Sequence, residues 1–372
     1  GFLERELRDE NGAFMAGLDA DSCDIRGAVF EGIYYLWTPE LLFDALGDED
    51  GDWATQVFHV TAGGTFGEGL STLQLRGRPD LDRLAEVSAR LLTERGHRFR
   101  PATDRLVVTA WNALAISSLV TGALIWNEPH WLDLALDTAR YLAEAHLAGG
   151  ELRHSSLAGQ VNPQAATAED HGTLADAFAI LAGATGDAAW LRRAETLCDR
   201  ALEIFSAEDG GFFDAAAGEL FVRSRSLTDN VTPSGTSALV RALRRVGLMA
   251  EHPGLLARAD AAAATTWATV AENPRFAGSA LEDLMVADEA RRGLRPAMVV
   301  VSSGDPFDEL ARAAWRLAPA GSVILTAPAG TGGFGSWLES RERRAVYVCR
   351  GDRCFDPVTD YTELKTPLWH RV

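Results

Sequence analysis

Several residues able to do chemistry fall at the edges of long apolar stretches. Asp104 just precedes the apolar run 106–126, and Glu169, Asp170 and His171 open the next one. The first turn of a helix leaves backbone N–H groups without partners and favours anions. Carboxylates placed there can donate or accept protons, and His171 has the chemistry of a proton shuttle, although no second histidine shows an obvious pairing with it. Asp19, Asp21 and Glu31 add carboxylates in loop-like sequence, and Trp37 and Trp111 supply flat surfaces. Asn112 puts an amide inside an apolar helix, where a partner or a ligand must satisfy it. The same residues have structural uses. A carboxylate at a helix start caps it, a histidine there is often hydrogen-bonded in place, and aromatic rings fill cores. Ser234, in Pro233-Ser234-Gly235, reads as an N-cap rather than a nucleophile.

The elements that must hold these residues are helices. In 131–146 the apolar positions Leu132, Ala135, Leu136, Ala139, Leu142 and Ala143 mark one face, with Asp133, Asp137, Arg140 and Glu144 opposite. The stretch from Trp190 to Phe205 repeats the pattern, so both are one-faced outer helices. The stretches 106–126 and 173–184 are apolar or small all round and need cover on several sides. Segments 234–249 and 255–271 continue the inner, outer order, with short Gly-rich turns between hairpins. Repetition of a hairpin predicts a mainly α fold, a helical toroid over residues 1–295. Gly1 is not an initiator Met and Phe2 to Arg8 reads as the last turns of a helix, so the toroid is expected to lack preceding helices.

Beyond residue 295 the pattern changes to β-α-β: strands at 298–302 and 322–326 around a helix at 306–317, a third strand at 345–349, a turn at Gly351-Asp352 and a last short helix at 359–368. This predicts a small α/β module over 296–372. Gly330 to Gly335 matches the dinucleotide fingerprint between a strand and an expected helix, but the module is too small for a doubly wound sheet, so it reads as a surface loop. Cys349 and Cys354 could form a disulfide or half a metal site and are read as structural thiols, since zinc wants four ligands.

Fifty-three acidic residues against 35 basic leave a formal charge of -18, which repels phosphate backbones and anionic lipid. Nucleic acid and membrane partners are not expected. No uncharged apolar run is expected to approach the roughly 20 residues of a membrane span. Four cysteines are too few for a disulfide framework, and a cytoplasmic location is the default expectation.

Longer motifs then carry a resemblance. Leu18-Asp19-Ala20-Asp21-Ser22, Glu31-Gly32-Ile33-Tyr34-Tyr35-Leu36-Trp37-Thr38, Arg100-Pro101 with Asp104-Arg105, Thr109-Ala110-Trp111-Asn112, Glu169-Asp170-His171 and Thr232-Pro233-Ser234-Gly235-Thr236-Ser237 occur in one order along the chain. In this they resemble thioredoxin-domain-containing proteins of the spermatogenesis-associated protein 20 type. Arg105, His171 and Thr236 depart from that family's Lys, Tyr and Asn. No Cys-x-x-Cys is present, so the family's thiol-disulfide activity is not carried over.

The resemblance implies kinship with six-hairpin glycosidases and N-acylglucosamine 2-epimerase-type enzymes, an (α/α)6-type architecture whose inner-helix ends line a funnel. It therefore implies a carbohydrate-binding or carbohydrate-converting domain, epimerase, isomerase or hydrolase, acting on a sugar-like small molecule. Sugar chemistry needs a proton donor and acceptor on opposite sides of the reacting centre and aromatic planes for the ring. The expected catalytic set is Asp104, Glu169, Asp170 and His171. Asp19, Asp21, Glu31, Trp37, Trp111 and Asn112 would bind substrate, with no cofactor and no metal. The alternative is a non-enzymatic scaffold that binds a protein partner or serves a thioredoxin-like domain.

Overall fold

The computed structural model describes residues 1–24, 26–218, 222–292, 296–341, 343–351 and 353–370. Two compact units are formed, one by 15–105 and the other by 1–14 with 106–372. The partition expected from composition, 1–295 and 296–372, differs from this. Its boundary at Arg295, and Asp352 of the expected turn, lie outside the described residues.

In the unit 15–105, strands β1 (Gly17–Leu18), β2 (Asp21–Cys23) and β3 (Val29–Glu31) precede helices α1 (Pro39–Leu46), α2 (Asp48–Val57) and α3 (Leu81–Gly96), and β4 (Thr103–Asp104) closes it. β1 pairs with β4 and β2 with β3, both antiparallel. Trp37, Leu42, Leu46, Phe58, Val87 and Leu91 form the core. Arg83 and Arg90 of α3 each hold Asp50 of α2 at 2.7 Å. These three helices lie outside the stretches where periodicity predicts hairpins.

The larger unit starts with a π-helical turn, Leu3–Leu7. It continues through β5 (Leu106–Val108), α4 (Thr109–Trp126), α5 (Pro129–Tyr141), β6 (Ser155–Leu157), β7 (Gln160–Val161), α6 (Ala168–Thr185), α7 (Ala188–Phe205), α8 (Gly235–Met249), α9 (Pro253–Ala264), α10 (Trp267–Glu272) and α11 (Gly278–Arg291). α4, α6 and α8 lie side by side, and α5, α7 and α9 each pack on the helix before. This is the inner, outer alternation of a helical toroid, as expected. Two boundaries are corrected. Leu106–Val108 is a strand, paired with β6, not the start of a helix. The expected helix 255–271 breaks because the hydroxyls of Thr265 and Thr266 turn back onto the carbonyls of Ala262 and Ala263.

α4 also corrects the reading of apolar runs: its 18 residues, mean hydropathy 1.3, are long and apolar enough to cross a membrane by composition. Here the helix is half buried among protein, between α5 and α6.

The last segment holds β8 (Met298–Ser302), α12 (Glu309–Leu317), β9 (Val323–Ala327), β10 (Val346–Arg350), β11 (Arg353–Cys354) and α13 (Lys365–Trp369). The sheet order is β11-β10-β8-β9, with β8 and β9 parallel across α12, the expected β-α-β unit. Side chains alternate across this sheet. Val299, Val301, Val346 and Val348 cluster with α12, whereas Met298, Val300, Leu325 and Tyr347 join the core of the hairpins. The segment beyond residue 295 thus has a core of its own around α12 and also lends the other face of its sheet to the core of the hairpins. Gly183 of α6 lies so close to β9 that a Cβ would sit 2.2 Å from the Ile324 carbonyl oxygen.

Two further expectations are corrected. Cys349 and Cys354 are joined in a disulfide, because the register sets them directly opposite each other on β10 and β11. The glycine-rich loop at Gly330 to Gly335 leads into turns, not a helix. Phe334 is fully buried, and the following Ser336 donates from both its N–H and its hydroxyl to Glu251. A carboxylate thus occupies a donor next to the loop.

Gly183→Ala should lower stability by ~1–3 kcal/mol, since the neighbour is backbone and must move. Chemical denaturation checks this, with Gly149→Ala, at a position with open space but a left-handed φ of 71°, as a comparison for backbone strain alone.

Candidate functional site

The first turns of the three inner helices are stitched together. α6 opens with a capping box: Thr167 accepts from the Asp170 N–H, and Asp170 answers the Thr167 N–H at 2.8 Å. α8 opens on Ser234, whose hydroxyl accepts from the Ser237 N–H, the capping role expected. Gly172 lets the two helices touch, because a Cβ there would lie 2.5 Å from the Ala238 carbonyl carbon. α4 is held by the Asp170 carboxylate, which accepts from the Ala110 N–H at 3.1 Å.

Asp170 is fully buried and its other oxygen also accepts from the Thr167 hydroxyl and faces His154 Nδ1 at 2.8 Å. The hydrogen bond to this carboxylate raises the His154 pKa. The His154 carbonyl accepts from the Thr109 N–H, so one residue anchors the start of α4 and presents an imidazole to Asp170. Nothing in the sequence singled out His154. Its spacing from Asp170 becomes meaningful only because β6 pairs with β5.

Glu169, half-buried, is the neighbour of this pair. Burial raises its pKa against the opposing effect of a hydrogen bond with Thr232, and the negative charges of Asp170 and Asp214 push the same way. Its Oε1 is buried without a hydrogen-bond partner among the described residues. A carboxyl in such a setting is biased toward the protonated form.

Below these first turns runs a cavity of about 520 Å³. One stripe of each inner helix lines it, including Ser118 and Thr121 from α4, Thr173 and Asp176 from α6, and Arg241 and Arg245 from α8. Helical spacing extends these stripes upward to Trp111 on α4 and Glu169 on α6. Trp111 is 43% exposed, an open aromatic surface rather than core. The two arginines are committed: Arg245 to Asp176 at 2.6 Å and Arg241 to Glu282 at 2.9 Å.

A buried relay sits behind α4. The Thr109 hydroxyl donates to the Arg153 carbonyl at 2.6 Å, which leaves it lone pairs for His146 Nδ1 at 2.7 Å. We assign the imidazole proton to Nδ1 on that ground, so Nε2 accepts from Ser156 at 2.9 Å. Burial lowers the His146 pKa to about 4, consistent with a neutral ring.

The remaining expected residues fall as follows. His171 is buried, with Nδ1 bonded to the Thr167 carbonyl at 2.9 Å and its ring edge-on to Phe205. The Asn112 amide accepts from the Phe14 N–H and donates to the carbonyls of Phe14 and Val108. Both positions are tied to backbone. Asp19, Asp21, Glu31, Trp37 and Asp104 belong to the unit 15–105. Asp21 and Glu31 face each other across β2 and β3, and Asp104 pairs with Gly17. Trp37 is core, with the Arg98 guanidinium over its ring at 4.0 Å. Among the described residues no cluster of three metal-ligating side chains occurs.

Replacing Asp170 by Asn should lower the His154 pKa, read by NMR titration; Asp170→Ala should in addition cost ~3 kcal/mol or more, because buried donors lose their acceptor. Stability should also fall on acidification from pH 6.5 toward 4, because unfolded His146 binds a proton that the folded ring refuses. That window is worth at most ~3 kcal/mol. Thermal unfolding of His146→Gln across it should show a flatter pH dependence than the parent.

No protein-family profile matches the chain. Curated proteins named Spermatogenesis-associated protein 20 do: the human protein is 24% identical over 99% of this chain and 53% of its own length, and the rat protein is likewise 24% identical over the same shares. Similar solved structures include cellobiose 2-epimerase from Bacillus thermoamylovorans, with TM-score 0.35, 11% identity and 42% of this chain against 43% of that one. D-mannose isomerase gives TM-score 0.37, 15% identity and shares of 43% and 40%. An α-1,6-mannanase of Salegentibacter sp. gives TM-score 0.37, 13% identity and shares of 70% and 66%. The motif resemblance and the sequence similarity agree: over 99% of its length this chain is similar to the Spermatogenesis-associated protein 20 proteins, and it spans about half the length of those it matches.

Proposed function

We propose that the helical-hairpin region binds a small carbohydrate in the groove along α4, α6 and α8 and converts it by proton transfer. The observation that carries this reading is Glu169, a carboxyl with a raised pKa and an unpartnered buried oxygen, beside the His154–Asp170 pair. Asp170 holds the Nδ1 proton of His154 and stabilises the imidazolium, so Nε2 serves as the base. Glu169 serves as the acid, giving its proton to the carbonyl oxygen of the open-chain sugar as the base takes one from the adjacent carbon, which leaves an enediol. Trp111 offers the stacking plane.

One carboxylic acid and one imidazole suit epimerisation or isomerisation better than glycoside hydrolysis, which ordinarily uses two carboxylates flanking the bond. Among the expected catalytic residues this reading keeps Glu169 in direct contact with substrate. Asp170 acts through His154, and His171 supports the wall.

The test incubates the protein with a panel of aldoses, ketoses and disaccharides in D2O and follows deuterium entry at C2 by NMR. Glu169→Gln and His154→Gln should each lower exchange ~10²-fold or more while a saccharide-induced rise in Tm persists. Exchange and Tm both insensitive to every saccharide in the parent protein would favour the scaffold reading. Full activity in Glu169→Gln would remove the assigned acid.

A further inference from the structure

The C-terminal sheet holds a second chemistry, unrelated to the groove. Cys349 lies on β10 and is 1% exposed, whereas its partner Cys354 is exposed on the edge strand β11. One sulfur of the disulfide is therefore open to an incoming thiolate and the other is shielded. Arg341 Nη2 lies 3.8 Å from each sulfur. The guanidinium is held there by two further contacts, its Nε donating to the Trp337 carbonyl at 3.2 Å and its plane lying over Tyr347 at 4.3 Å, while the Arg341 backbone carbonyl accepts from the Ser302 hydroxyl at 2.9 Å. A fixed cation touching both sulfurs lowers the energy of whichever leaves as thiolate. Of the two free cysteines, Cys23 is half-buried and Cys198 is buried, its thiol pushed well up by desolvation.

We propose that Cys349–Cys354 is a redox-active disulfide that takes two electrons from a dithiol, with Arg341 stabilising the leaving sulfur. A thiolate of the dithiol attacks Cys354 Sγ, the Cys349–Cys354 bond breaks, and Cys349 departs as a thiolate beside Arg341. The mixed disulfide on Cys354 is then attacked by the second thiol of the same reductant. The reductant leaves as its own disulfide, Cys354 is released, and the two protons of the dithiol end on the two cysteines. The exposed side of β11 makes Cys354 the entry point and the buried sulfur the leaving group.

The experiment uses the whole chain, oxidised in air, with dithiothreitol as the reductant and rapid alkylation followed by mass spectrometry. Cys349 and Cys354 should resist alkylation before reduction and become labelled together after it. Arg341→Met should slow their reduction roughly 3–10-fold at neutral pH, and Arg341→Lys should restore most of the rate. In a second measurement, independent of that variant's folding, Cys349→Ser should form a mixed disulfide at Cys354 with a small aromatic disulfide reagent, and Cys354→Ser should react more slowly at the shielded Cys349. Alkylation of both cysteines in the air-oxidised protein without reductant overturns the proposal. So do equal reduction rates for a folded Arg341→Met and the parent, or equal reactivity of the two single-serine variants.

Discussion

A buried carboxylate is expensive unless every lone pair is answered, and Asp170 is answered by parts of the chain far apart in sequence. Its oxygens accept from the capping residue of its own helix and from the first turn of α4, and face the imidazole that precedes β6. Desolvating the charge costs several kcal/mol, offset by charge-assisted hydrogen bonds and by two helix N-termini pointing at it. Because these partners come from separate elements, the carboxylate sets where α4 starts relative to α6. The buried relay from Thr109 through His146 to Ser156 holds the same helix start from behind.

That arrangement explains why Glu169 and Asp170, adjacent in sequence, have different characters. Asp170 points into the junction and is saturated; Glu169, one residue earlier, is rotated by about 100° around the helix and keeps one buried oxygen without a hydrogen-bond partner among the described residues. The first is a positioning group and the second has capacity left for a ligand. Farther down the groove the paired charges Arg245 with Asp176 and Arg241 with Glu282 cross-link α6, α8 and α11, so the arginines in its largely apolar wall are already neutralised.

Support for the hairpins also comes from the C-terminal sheet. Its two faces serve two cores, one with α12 and one with the inner helices, through the alternation of side chains along β8, β9 and β10. Gly183 and Gly186 of the α6 end permit the close approach. A composition change in a chain marks a change of secondary structure; whether it marks a boundary between cores depends on what the second face of the sheet covers.

Much was legible beforehand. Helix periodicity reveals the hairpins within 106–205 and their inner, outer order, though not that 106–108 is a strand, because a helix exposed on one side must segregate its apolar residues, and valine-rich runs reveal the three strands. Pro-Ser-Gly announces the cap at Ser234, since capping is local chemistry. The motifs carry the family resemblance. What only the tertiary structure decided are relations between distant residues: that His154 meets Asp170, that Asn112 spends its amide on Phe14, that Trp111 stays open while Trp37 is enclosed, and that Cys349 and Cys354 are joined under Arg341. Local sequence sets helix, strand and cap through short-range sterics and hydrogen bonds. The protonation bias and the free valence of a side chain depend on desolvation and on neighbours brought from elsewhere in the chain, and these exist only once the helices have packed.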